Sequence, residues 1–75
     1  MKTFIELGFE KEYTSPRTLR YNNDNHKDRG RIFVDFKLNR KTWEVAGWAD
    51  GDAEIAAAIL IECIKLGWME VPVCQ

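Results

Sequence analysis

Apolar residues fall on every second position of residues 31–38. Ile32, Val34, Phe36 and Leu38 alternate with Arg31, Phe33, Asp35 and Lys37. A period of two predicts a half-buried β-strand. Residues 42–48 repeat the pattern, with Trp43 and Val45 on one face and Glu44, Ala46 and Trp48 on the other. The polar run 39–42 between them predicts a hairpin turn. A two-residue turn sets Asp35 opposite Glu44, whereas a four-residue loop sets Lys37 opposite Glu44 and Phe36 opposite Val45. Opposed unlike charges are favourable and like charges are not, and no Asn-Gly pair supports the shorter turn. The longer loop is therefore expected. Either register keeps Phe36 on one face with Trp43 and Val45.

Beyond residue 50 the period becomes helical, over residues 51–66. Asp50 is the expected N-cap, and Asp52 and Glu54 set negative charge in the first turn. Lys65 sits in the last turn, and Gly67 is placed for the left-handed residue that ends a helix. At about 100° per residue, Ile55, Ala56, Ala57, Ile59, Leu60, Ile61, Cys63, Ile64 and Leu66 sweep about two thirds of the circumference. Glu54, Ala58, Glu62 and Lys65 mark the remaining polar strip. A helix on a solvated sheet needs less apolar surface than that. The flank carrying Ala57, Ile61 and Ile64 is expected to be covered by the N-terminal segment, by the C-terminal tail, or by a second copy in a homodimer.

The first third of the chain leaves two readings open. Leu7-Gly8-Phe9 echoes Leu66-Gly67-Trp68, and glycine followed by an apolar residue is a helix-stop signature. Residues 2–7 then form a short helix followed by a strand over 9–14, or the whole segment is a strand. Ser15-Pro16 breaks the chain and residues 18–21 resume an extended pattern. Residues 22–30 contain no apolar side chain and read as a mobile loop. Residues 68–74 could add a short strand, confined to a sheet edge by Pro72. The expected fold class is α+β. An antiparallel sheet of three to four strands carries one main C-terminal helix on one face, in a single domain of 75 residues.

Composition narrows the class. Nine aromatic residues in so short a chain supply much buried area at low entropic cost. No run approaches the roughly 20 apolar residues of a membrane span, and Lys2 and Glu6 flank the place of a signal-peptide apolar core. The expected location is the cytoplasm of the cell that makes the chain. Cys63 and Cys74 read as free thiols, with a bridge open only if the tail folds back onto the helix. The net charge of −1 conceals an asymmetry. Residues 17–41 hold eight bases and three acids, a balance of +5, and residues 42–75 hold one base and six acids, a balance of −5. Such a division biases the approach of charged partners.

Catalytic chemistry is not apparent. Nucleophilic catalysis needs a nucleophile, a base and an orienting group, and the chain offers one serine, Ser15, and one histidine, His26, read as a solvated loop residue. One histidine and two distant cysteines do not make a zinc site. The segment 50–54 lacks the later ligands of a calcium loop. No enzyme activity, metal or cofactor is expected. The hairpin face of Arg31, Phe33, Asp35 and Lys37 with Glu44, Ala46 and Trp48 admits three readings. It is a second core layer, a protein interface rich in Trp and Arg, or a stacking platform for single-stranded nucleic acid. The candidate partner-binding residues are Arg29, Arg31, Phe33, Lys37 and Trp48. Asp50, Asp52, Glu54 and Glu62 form a second patch able to mimic phosphate.

The start Ile5-Glu6-Leu7-Gly8-Phe9-Glu10-Lys11 and the close from Ile59 to Leu66-Gly67-Trp68 resemble small accessory proteins of bacteriophages and mobile elements. The likeness touches both ends, about a third of the chain, through capping and packing motifs. It implies a non-enzymatic protein that binds a larger host protein or ribonucleoprotein, as anti-CRISPR proteins do. The alternative is a nucleic-acid-binding module using the basic segment 17–41.

Overall fold

Alternation and turn chemistry produce four strands in the computed structural model, which describes residues 1–71. They are β1 (Glu10–Ser15), β2 (Thr18–Asn23), β3 (Ile32–Lys37) and β4 (Thr42–Ala46). Each pairs antiparallel with the next in the order β1-β2-β3-β4. Helix α1 (Ala53–Lys65) follows the sheet. Ile32, Val34 and Phe36 of β3 and Leu19 and Tyr21 of β2 fill the core with Ile55, Ala58, Ile59 and Cys63 of the helix. No helix among the described residues is long and apolar enough to cross a membrane.

The Leu-Gly-aromatic echo is structural. At the helix end, Gly67 takes φ 75°. Its amide donates to the Ile64 carbonyl at 3.0 Å, and the Trp68 amide to the Cys63 carbonyl at 2.9 Å. This is the paired C-terminal bonding of a Schellman motif. Near the start, Gly8 takes φ 90°. Its amide donates to the Ile5 carbonyl at 3.0 Å and the Phe9 amide to the Phe4 carbonyl at 2.9 Å. Thr3 and Glu6 close the other end, each backbone amide bonded to the other's side chain, as in a capping box. The expected short N-terminal helix is thus a single turn, because its start and stop signals are only one turn apart. That turn seats Phe4 in the core, stacked on Tyr21 at 4.7 Å and edge-on to Phe9 at 5.2 Å.

Several expectations are corrected. The helix begins at Ala53, and its N-cap is Asp52 rather than Asp50. Half of the strip read as polar is buried: Ala58 and Glu62 join Ile55, Ile59 and Cys63 in the interior, while Glu54 and Lys65 stay at the surface. Glu62 tolerates this because the Tyr21 hydroxyl donates to its two carboxylate oxygens at 3.1 and 3.0 Å. Burial, and then the Glu62 charge, push the Tyr21 phenol pKa up. The loop has four residues, 38–41, but the register is the one expected of the short turn, with Asp35 opposite Glu44 and Phe36 opposite Trp43. Arg20 decides this from outside the hairpin. It lies opposite Asp35 on β2 and forks onto both carboxylate oxygens at 2.7 and 2.9 Å. Residues 68–71 form no strand. The rest of the expected tail strand, with Cys74 and any bond to Cys63, lies outside the described residues.

Candidate docking surface

The loop expected to be mobile is tied down at its root. The Asn25 side chain accepts from the Gly30 amide at 3.1 Å, and the His26 amide donates to the Gly30 carbonyl at 3.2 Å. Lys27 and Asp28 take left-handed φ values of 52° and 60°, a conformation that costs free energy outside glycine. The twist aims His26, Lys27 and Arg29 at Asp52. Asp52 Oδ1 accepts from the Ile55 amide at 3.0 Å. Its Oδ2 faces His26 Nε2 at 3.2 Å, Lys27 Nζ at 3.2 Å and Arg29 Nη1 at 3.3 Å. Burial alone would raise the Asp52 pKa. The Ile55 amide, Lys27 and His26 outweigh it and hold the carboxyl at about 2. Lys27 also reaches Glu54 at 2.8 Å.

This cluster is a clasp between loop and helix. His26 is buried against Phe9 rather than solvated. It has an acidic partner, and among the described residues no nucleophile is bonded to it; Ser15 instead accepts from the Arg17 amide in the β1–β2 turn. The clasp also takes apart the expected acidic patch. The Asp52 side chain is 0% exposed, Glu62 is bonded to Tyr21, and Glu54 is paired with Lys27, leaving Asp50 exposed. The bases of the middle segment answer the acids of the last, so the charge asymmetry of the sequence is partly cancelled within the fold.

The outer face of the sheet is arranged around Phe33. Arg20 lies over its ring at 4.0 Å and Arg31 at 5.0 Å, and Arg31 Nε donates to Asn22 Oδ1 at 2.7 Å. Two guanidiniums occupy the surface on which a base would stack. Among the described residues no aromatic contact joins Phe33 to Trp48, which is 71% exposed. Lys37 ends β3 opposite Thr42. On this face a charge ladder crosses the sheet, with Glu12 opposite Arg20, Arg20 opposite Asp35 and Asp35 opposite Glu44.

The core face is incomplete over β4. The helix covers β2 and β3, while Trp43 and Val45 stay 46% and 36% exposed. Between them and the first half of the helix lies an apolar groove of about 430 Å³, walled by Trp43, Val45, Ile55, Ala56 and Ile59 and closed at one end by Gly47 and residues 49–53. No family model, curated protein or solved structure matches the chain. The site rests on its own geometry.

Alternation puts Trp43 and Val45 on the face of Phe36, which is buried, yet both stand open beside this groove. The available signal was the width of the helix stripe, which exceeds what one sheet face covers. The flank named for it, Ala57, Ile61 and Ile64, lies on the helix side turned away from the buried residues. All three are partly buried and stand outside the core cluster.

Proposed function

We propose that this chain is a small binding module that docks onto a larger protein or ribonucleoprotein and inhibits or modulates it. One observation carries the reading: Trp43 and Val45 stand open beside an apolar groove, with Trp48 exposed just past the strand. Exposed tryptophans flanking a preformed apolar groove are the anchors that dominate protein interfaces. The likeness of the chain ends to phage accessory proteins points the same way, to an anti-CRISPR-like or host-takeover role in the host cytoplasm.

The test is capture from the lysate of the producing or host cell on immobilised chain. Wild type should retain one stoichiometric partner. A Trp43→Ser/Val45→Thr variant, shown folded by circular dichroism, should lose at least about tenfold, because removing a central anchor typically costs 2 kcal/mol or more. Absence of a partner, or equal retention by the variant, refutes the reading.

A further inference from the structure

We infer that the groove and the free edge of β4 together accept an extended segment of another protein, added as a fifth strand, with a basic residue facing Glu44 and apolar residues on either side of it. The inference rests on the docking reading and specifies how the partner is held.

The two edges of the sheet are treated differently. Both edge strands are largely exposed, but β1 reads Glu-Lys-Glu-Tyr-Thr-Ser, with three charges, and carries a register shift between Tyr13 and Ser15. Charges and bulges are the devices that keep an edge from pairing. β4 reads Thr-Trp-Glu-Val-Ala, pairs regularly with β3 from Thr42 to Ala46, and carries one charge. No backbone hydrogen bond outside the ladder involves residues 42–46 among the described residues. Its outer amides and carbonyls are therefore a template for strand addition.

The side chains specify what is added. Along a paired strand they alternate between faces. Residues opposite Trp43 and Val45 would point over the groove toward Ile55, Ala56 and Ile59, where apolar groups are matched. The residue opposite Glu44 would extend the outer ladder. That ladder runs acid, base, acid, acid from Glu12 to Glu44, and Glu44 has no cation among the described residues. A lysine or arginine there completes it. A second copy fits poorly. The antiparallel self-pairing that uses all five residues of β4 is centred on Glu44, so it opposes Glu44 to its own copy beside Asp35. Shifting the register runs the pairing into Lys41 or Gly47, both at positive φ.

The probe is an end-blocked synthetic peptide containing Thr-Val-Lys-Val-Thr, titrated into isotopically labelled full chain and followed by amide NMR. Shift changes and cross-strand contacts should fall on residues 42–46 and on the groove side of the helix. A Glu-centred peptide should bind about fivefold more weakly, the range expected for exchanging an attractive for a repulsive cross-strand pair. Glu44→Lys should invert that order. Light scattering should give a monomer. No binding at millimolar peptide, shifts elsewhere, an order that Glu44→Lys leaves unchanged, or a dimer formed through β4 would each overturn strand addition. A partner captured from lysate and not displaced by saturating peptide would also overturn it while leaving the docking reading intact. Loss of both capture and peptide binding would remove the two together.

Discussion

Asp52 shows how one side chain acquires several duties. A cap at a helix N-terminus needs only an oxygen for the amide three residues on. Here the same carboxylate is buried, so its charge had to be answered, and His26, Lys27 and Arg29 converge on it. The consequence is an acid-sensitive fold. Its folded pKa of about 2 lies below the ordinary 3.8. Its contribution is therefore complete above about pH 4 and lost as pH falls toward 2, amounting to roughly 2 kcal/mol. Urea midpoints measured across that range should fall with pH in the wild type. Asp52→Asn should be less stable at neutral pH and should lose most of that pH slope. The sequence pointed to Asp50 as this cap, and the structure gives the role to Asp52. Asp50 and Asp52 are equivalent caps by type, and only the position of the 26–29 loop separates them.

At the scale of elements, strand register depended on a third strand. Within the hairpin alone, Lys37 opposite Glu44 is the better pairing. Adding β2 reverses the preference, because Arg20 takes Asp35 in a bidentate pair and also covers Phe33. Removing one partner of a largely buried pair leaves a charge without an answer. Arg20→Met should therefore cost about 3 kcal/mol in denaturant unfolding. Adding Glu44→Lys should restore about 1 kcal/mol, as a base beside Asp35 replaces an acid. An Arg20→Met variant as stable as wild type would show that the ladder does not set the register. The β3–β4 hairpin, the helix and its Gly67 stop were legible in the sequence because alternation, helical period and capping are local properties, whereas the Gly8 stop stood as one of two readings. Pairing across strands that are not neighbours in sequence is not local.

For the whole molecule, closure of the core depends on the N-terminal turn. Phe4 stacks on Tyr21 and meets Phe9 and Phe36 edge-on. It ties the first turn to β2 and β3 and to Phe9 just ahead of β1. A domain this small has little reserve. Phe4→Ala should remove about 3–5 kcal/mol, most of the total stability of such a chain, and a thermal melt should show the cooperative transition lost or shifted far down. Trp43 and Val45 illustrate the opposite case. Their alternation marks them as core residues, yet one helix of 13 residues covers only part of a four-stranded sheet, and both outer strands, β1 and β4, are left open. By itself the sequence determined the α+β class, the strand alternation, the helix and its glycine stop, since each follows from the period and chemistry of neighbouring residues. Only the tertiary structure decided that Glu62 and His26 are buried, that Asp35 faces Glu44, and that β4 borders a groove. Those outcomes depend on which distant groups arrive to pair a charge or cover a face, and spacing along the chain does not encode that.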